Sequence, residues 1–393
     1  MQTEEINIQK EAIQDECVER FKENNFYGIS LIGTGGGKTK MMLKCLSELI
    51  ERDKLNKILY TCNSLDLRDT DFPNEVRKWG YEQYLDKMNR LCYQSAYKLK
   101  GEYYDLLLGD EFDFALTPEY IKLLLNNTFK YIILVSATLG DEKLRILNSI
   151  KPKIPIVYKK KLSELESEGV LNKSKYHYVN YLLNEEENRK YLEFNRVIAN
   201  TIKENESSDR LKERLKFVLQ QRKLFLNKLK SSTAICKLLL KEIQGRTLIF
   251  SELTDQIDKI TPFTYHGKNE EAENLTKFND KEIDTLGVVG KIDRGVNLIG
   301  VENIILESCS SSQTKIVQKL GRGKRLEVNE FLNVYLLVPY YKESVLSGKV
   351  WLPKHLQEYR DKFAPTIVKK WLENALRDFN IPKELISIYK FNQ

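Results

Sequence analysis

Short apolar runs alternate with longer amphipathic stretches along most of the chain. The first series of runs predicts β-strands at 28–32, 57–61, 104–108, 131–135 and 154–158. A second series predicts strands at 175–183, 246–250, 286–289, 303–307 and 333–338. Strands that alternate with helices are typical of parallel sheets covered by helices. The pattern therefore predicts two α/β domains of similar design, arranged in tandem.

The stretches between and beyond these two series predict the limits of the domains. A segment rich in lysine and proline, 151–163, is the expected hinge. We therefore place an N-terminal domain at 1–160 and a C-terminal domain at 161–345. The last residues, 346–393, are expected to form a short C-terminal helical extension.

A helical insertion is predicted within the second domain, at about 184–243, where charges are frequent and strand patterns are missing. Apolar residues recur there at helical spacing: Leu211, Leu215, Val218, Phe225 and Leu229. Two interpretations remain open. The helix either packs on its own domain or presents a basic face to nucleic acid. The basic side chains available for the second role are Arg222, Lys223, Lys228 and Lys230.

Composition narrows the class of protein. The 393 residues carry 63 basic and 56 acidic side chains, a net charge of +7 that suits a polyanionic partner without demanding one. The six cysteines form no CxxC pair, and the three histidines are scattered, so neither a disulfide framework nor a zinc site is predicted. No apolar run approaches the roughly 20 residues that span a bilayer. We expect a cytoplasmic protein without a membrane partner.

The most specific pattern is a glycine-rich stretch between a predicted strand and a predicted helix, at 32–39 (IGTGGGKT). Glycines let the backbone curl so that successive N–H groups point at phosphate oxygens, and the helix adds the positive end of its dipole. Lys38 is expected to neutralise the β- and γ-phosphates of ATP, and Thr39 to hold Mg²⁺. Ile32 stands where the strict pattern asks for glycine, so the match is to the variant TGxGKT. The other expected ATP contacts in this loop are Thr34, Gly35, Gly36 and Gly37.

An acidic box, DEFD at 110–113, directly follows the apolar strand predicted at 104–108. A phosphate-binding loop needs an acidic partner on a neighbouring strand, and this box supplies one. Asp110 is placed to hold the Mg²⁺ shell, and Glu111 is placed to orient and polarise the attacking water. The two carboxylates are therefore candidate catalytic residues.

Four motifs in order resemble those of superfamily 2 helicases. They are the phosphate-binding loop, the DEFD box, the SAT tripeptide at 136–138 and QKLGRGKR at 318–325, which are similar to motifs I, II, III and VI. The resemblance implies two tandem RecA-like domains that bind ATP and Mg²⁺. It implies that Arg322 and Arg325, with Gln318, act on the γ-phosphate as the second domain closes. It also implies that Ser136 and Thr138 couple nucleotide state to that closure.

Shorter matches occupy other positions in the motif order of this superfamily. Gln9 resembles the glutamine that reads adenine, although Ile8 precedes it where an aromatic residue is common. Gly295 and Asn297 resemble the nucleotide contacts of motif V, with Asn297 where aspartate is commoner. The resemblance implies that the protein contacts the phosphate backbone of a nucleic-acid strand, without sequence preference. The side chains that it implies in these contacts are Asn63, Ser64, Gln94, Ser251 and Lys291.

Several departures from related families narrow the expected function. DEFD, CNSLD at 62–66 and QKLGR at 318–322 differ from the motifs of DEAD-box RNA helicases, and the box lacks the DEAH histidine. The motifs resemble the restriction-type and XPB-like branch, which includes phage recombination and branch-migration helicases. We expect a monomeric DNA helicase or translocase acting on single-stranded, forked or branched DNA in recombination, repair or replication. If the gene is a phage gene, the protein works in the host cytoplasm.

Two other functions remain open at this point. The first is an RNA helicase, and the second is a nucleic-acid-binding adaptor whose ATP cycle separates no strands. A nuclease is disfavoured, because the chain has no HNH-like histidine cluster and no second constellation of carboxylates and lysine.

Overall fold

The structure, a computed structural model, describes residues 2–137, 139–203, 209–267, 273–289, 298, 300–308, 331–341 and 386–390. These residues divide after Lys173 into two compact units. The division falls later than residue 160, where we placed the end of the first domain. The reason is that the strand at 156–160 and the helix after it pack on the first sheet, with Leu165 fully buried.

The first unit contains a six-stranded sheet in which every neighbouring pair is parallel. Its strand order is β3-β2-β4-β5-β1-β6. The strands are β1 Tyr27–Ile32, β2 Ile58–Cys62, β3 Met88–Cys92, β4 Tyr103–Gly109, β5 Thr128–Ser136 and β6 Ile156–Lys160. The helices are α1 Gln2–Glu23, α2 Lys38–Arg52, α3 Phe72–Lys78, α4 Tyr93–Ala96, α5 Lys122–Asn126, α6 Asp141–Ser149 and α7 Leu162–Ser167.

The central strands of this sheet are buried on both faces, which is why they read as continuous apolar runs. Leu106, Leu107 and Leu108 of β4 are fully buried, as are Ile133 and Leu134 of β5. Five of the six strands were predicted within a few residues. The sixth, β3, lies at one edge and carries Asn89 and Arg90, so it shows no apolar run.

The second unit contains a seven-stranded sheet, again with only parallel pairs, in the order β13-β7-β12-β11-β8-β10-β9. The strands are β7 Ser174–Leu182, β8 Thr247–Phe250, β9 Thr264–Tyr265, β10 Thr285–Val288, β11 Asn303–Leu306, β12 Leu332–Tyr340 and β13 Ile386–Lys390. Two helices, α11 Thr254–Ile260 and α12 Glu273–Asn279, lie between β8 and β10 in the chain.

The strand β13 corrects the expectation of a wholly helical C-terminal extension. Residues 386–390 pair with the middle of β7, from Ile386 opposite Tyr176 to Lys390 opposite Asn180. The run ISIYK is rich in β-branched and aromatic residues, which favour strands. The rest of 346–393 lies outside the described residues.

Three helices form the segment predicted as an insertion: α8 Glu185–Lys203, α9 Asp209–Leu226 and α10 Lys230–Glu242. The rings of Phe194 and Phe225 join α8 to α9, with their centroids 5.6 Å apart. Arg222 is buried, and its Nη1 donates to Asn195 Oδ1 at 2.8 Å. Arg222 therefore packs within its own domain, while Lys223, Lys228 and Lys230 are exposed.

No helix in the described ranges combines the length and the apolar character that crossing a bilayer requires.

Candidate functional site

The glycine-rich loop of the first unit connects the end of β1 to the start of α2. Gly35 and Gly37 have φ angles of 94° and 82°, in the left-handed region that side chains other than glycine rarely adopt. Gly37 directly precedes Lys38, the first residue of α2. The backbone therefore turns so that the loop and the positive end of the α2 dipole face the same space.

Two other segments of the first unit close around this loop. A Cβ atom placed on Gly35 would lie 2.9 Å from Leu171 Cδ2, and one placed on Gly37 would overlap the side-chain amide of Gln14. Gln14, on α1, is 3% exposed, and its Oε1 has no hydrogen-bond partner among the described residues. The same holds for Thr34 Oγ1 in the loop. Buried polar atoms without partners are costly, so this loop has the character of a ligand site.

Gly35→Ala is expected to lower ATP affinity by about tenfold, since the left-handed backbone and the contact with Leu171 both exclude a methyl group. Gly101→Ala is the matched control. Gly101 also has a positive φ, 69°, but no described atom lies within 4 Å of its Cβ position. Titration with a fluorescent ATP analogue measures both variants. Wild-type affinity in Gly35→Ala would show that the nucleotide binds elsewhere.

The acidic box lies at the carboxyl end of β4, and its first carboxylate is buried. Asp110 is 4% exposed, and its Oδ1 accepts the backbone N–H of Glu111 at 2.8 Å. Burial, with the nearby charge of Glu111, raises the pKa of Asp110 to about 7, while the ammonium of Lys38 acts in the opposite direction. Lys38 and Asp110 are therefore within electrostatic reach, as the sequence predicts for a phosphate-binding loop and its acidic partner.

The second carboxylate stands on an unusual backbone. Glu111 has φ 48° and ψ 46°, a left-handed conformation that is uncommon for residues other than glycine. The carbonyl of the preceding residue, Asp110, accepts a hydrogen bond of 2.9 Å from the hydroxyl of Tyr93. Strained backbone of this kind is held by its surroundings and clusters at functional sites.

The last residue of the box connects it to the end of β5. Ser136 Oγ donates to Asp113 Oδ1 at 2.9 Å, and both side chains are buried. Lys143 Nζ, on α6, donates to the backbone carbonyls of Asp113 and Leu116 at 2.7 and 2.9 Å. The sequence indicated Ser136, but it assigned no role to Asp113, Lys143, Gln14 or Tyr93. The acidic pattern DEFD was the one signal that could have drawn attention to Asp113.

Three of the residues that were predicted to contact nucleic acid lie together, directly after β2 and β3. Gln94 Nε2 donates to the carbonyl of Asn63 at 3.2 Å, and Ser64 follows in the same loop. Asn63 is 5% exposed, and neither of its side-chain polar atoms has a partner in the described part of the chain. The carboxyl ends of parallel strands are where ligands bind in α/β sheets. These two loops form a candidate nucleic-acid site at the carboxyl edge of the sheet, where the acidic box also lies.

The other predicted residues are placed differently. Ser251, in the second unit, is buried, and its hydroxyl donates to Glu307 Oε2 at 3.0 Å, so it is not presented to a strand. Gln9 is exposed on α1, with its Oε1 3.6 Å from the Cβ position of Gly169. The remaining predicted residues lie outside the described residues and stay predictions: Thr138, Lys291, Gly295, Asn297, Gln318, Arg322 and Arg325.

The residues present fit a magnesium nucleotide. Lys38, at the end of the glycine cradle, interacts electrostatically with the buried carboxylate of Asp110, and Thr39 follows Lys38 on the first turn of α2. No cluster of three or more histidine, cysteine or acidic side chains that could hold a metal occurs in the described ranges.

Comparisons with known proteins agree with this architecture. Residues 230–327 match the family described as the helicase conserved C-terminal domain. No curated protein matches the chain by sequence.

Two solved structures show the similarity of fold. The first is the ATP-dependent type ISP restriction-modification enzyme LlaBIII bound to DNA, with a TM-score of 0.59 at 12% identity. The match covers 98% of this chain and 31% of that chain, so this chain spans about a third of the enzyme's length. The second is S. cerevisiae Dbp5 bound to RNA and ADP BeF3, with a TM-score of 0.57 at 12% identity and coverage of 96% and 89%. The fold is that of tandem RecA-like helicases.

Proposed function

We propose that this chain is an ATP-dependent helicase or translocase of superfamily 2 that moves on, or remodels, single-stranded, forked or branched DNA. The observation that carries the proposal is the convergence of Lys38 with the buried carboxylate of Asp110 beside the glycine loop. The family match at 230–327 supports it from the other half of the chain. The motifs that differ from DEAD-box helicases favour the restriction-type branch.

Each part of the first unit has a defined task in this proposal. Lys38 and the loop N–H groups bind the β- and γ-phosphates of ATP, and Glu111 orients the attacking water. Bound Mg²⁺ would neutralise charge on the phosphate oxygens, and Thr39 and Asp110 are the residues that would hold it. Ser136, through Asp113, is connected to the acidic box. Phosphoryl transfer asks for this kind of positioning and charge stabilisation and for little covalent chemistry.

RNA is the second candidate substrate, because the RNA-bound Dbp5 structure resembles this chain nearly as well as the DNA-bound enzyme. ATP turnover measured side by side with single-stranded DNA, forked DNA and RNA separates the two. Stimulation by RNA alone would reject the DNA assignment. Strand displacement from a forked duplex separates a helicase from an adaptor, because an adaptor would hydrolyse ATP and displace nothing.

Arg322→Ala is expected to leave ATP binding intact and to lower hydrolysis by about 10³-fold, because a guanidinium group on the γ-phosphate stabilises the charge of the transition state. ATP affinity and steady-state turnover are measured on the same preparation. Normal turnover in this variant would show that the stabilising arginine is another residue.

A further inference from the structure

Tyr93 is a fully buried tyrosine that contacts the acidic box in two ways. It is the first residue of α4, directly after β3. Its hydroxyl donates to the carbonyl of Asp110 at 2.9 Å. Its ring packs edge-on against Phe112, inside the box, at a centroid distance of 6.3 Å. The tyrosine therefore fixes both the backbone and the side-chain packing of the box.

The carbonyl that Tyr93 binds belongs to the peptide that joins Asp110 to Glu111. The orientation of this peptide plane determines the φ angle of Glu111, which is 48°. On the other side of Asp110, its N–H donates to the carbonyl of Thr61 at 2.9 Å. The strained conformation that aims Glu111 is thus maintained from outside the box, and the Tyr93 hydroxyl is one of the groups that hold it.

The next residue in the chain, Gln94, belongs to the candidate nucleic-acid site. Gln94 donates its amide to the carbonyl of Asn63 at 3.2 Å. Asn63 has buried side-chain polar atoms without partners among the described residues, as expected of a group that awaits a ligand. Two consecutive residues of one helical turn, Tyr93 and Gln94, therefore connect the acidic box to the loop after β2.

We propose that Tyr93 is a positioning residue that transmits occupancy of the Asn63–Gln94 site to the peptide between Asp110 and Glu111. A strand that engages Asn63 and Gln94 restrains α4. That restraint keeps the Tyr93 hydroxyl on the Asp110 carbonyl and keeps Glu111 in its hydrolytic orientation. The inference rests on the proposed function. It assigns the stimulation of ATP turnover by nucleic acid to the hydroxyl group of Tyr93.

Tyr93→Phe tests the inference, because it removes the hydroxyl and keeps the ring. ATP turnover is measured with and without saturating oligo(dT) or oligo(U), whichever stimulates the wild type more. The ratio of the two rates is expected to fall by about tenfold, while the KM for ATP and the Kd for the oligonucleotide change less than about twofold. Tyr60→Phe is the matched control. Tyr60 is fully buried, and its hydroxyl has no partner in the described part of the chain.

Two results would overturn the inference. They are an unchanged ratio in Tyr93→Phe, whether or not both rates fall together, or the same loss of ratio in Tyr60→Phe. If Tyr93→Phe does not fold, Gln94→Ala is measured at saturating oligonucleotide, and a wild-type ratio there contradicts the inference. A wild-type protein whose turnover responds to neither oligonucleotide nor to forked DNA rejects the proposed function itself, and with it the inference; a response to forked DNA alone makes forked DNA the stimulant in every comparison. That outcome is visible before any variant is made.

Discussion

Lys38→Ala is expected to lower ATP turnover by about 10²–10³-fold or more, with the fold intact. The ammonium of Lys38 opposes the rise in the pKa of Asp110, so the two groups lie near each other. Asp110 is the buried carboxylate that would hold the Mg²⁺ of the bound nucleotide. Its removal takes away a positive charge where negative charge develops in the transition state. It also leaves Asp110 with a higher pKa, because the favourable interaction of the carboxylate with Lys38 is lost. Phosphate release in steady state measures the effect, and thermal unfolding checks the fold.

Lys40→Ala is the matched control, since Lys40 lies on the same first turn of α2. Its ammonium pairs with Glu11 at 2.5 Å and lies 4.1 Å from the centroid of the Trp79 ring. A pair of this kind contributes about 0–1 kcal/mol, so turnover should stay near the wild-type rate. Equal losses in both variants would indicate a general effect of charge on the helix. Undiminished turnover in Lys38→Ala would reject the assignment of the nucleotide site.

The fold was predictable where a strand is buried on both faces, because burial there requires a continuous apolar run. The runs around Leu107 and Ile133 are examples. Three of the four strands at the sheet edges, β3, β9 and β13, escaped prediction, whereas the edge strand β6 was predicted. Asn89 and Arg90 interrupt the apolar pattern of β3, and β9 has only two residues. The end of the first unit was also hidden, since the pattern of Leu162–Ser167 does not reveal which sheet it covers.

The candidate site was predictable as far as local patterns reach. A strand, a glycine loop and a helix place Lys38, and a strand followed by carboxylates places Asp110, so their proximity follows from parallel strands with a common carboxyl edge. The support of the site was not predictable. Tyr93 is 17 positions from the carbonyl it binds, and no spacing rule links a tyrosine to a peptide plane on another strand. The left-handed backbone of Glu111 is likewise set by such contacts.

Asp110→Asn is expected to stabilise the protein at pH 8 in EDTA, to stabilise it clearly less at pH 5, and to eliminate ATP turnover. The folded pKa of Asp110, about 7, lies above the ordinary value of 3.8. A raised carboxyl pKa contributes stability that is fully present below the unfolded pKa and is lost as pH rises through the folded pKa. At pH 8 the wild type therefore holds an unfavourable buried charge. At about 1.4 kcal/mol per unit of pKa, the penalty at pH 8 is on the order of a few kcal/mol.

The unfolding temperature of Asp110→Asn is expected to exceed that of the wild type by several degrees at pH 8, because the neutral amide avoids this penalty. Asp105→Asn is the control on the same strand. Its Oδ2 accepts the N–H groups of Asn56 and Lys57 at 2.8 and 2.9 Å, so its substitution should not stabilise the fold. An equal loss of stability in Asp110→Asn at both pH values would show that the buried charge is not unfavourable. Retained turnover would show that Asp110 does not hold the metal. The stabilisation and the loss of activity have one cause, because the carboxylate that is buried to bind the metal destabilises the folded state when it is charged.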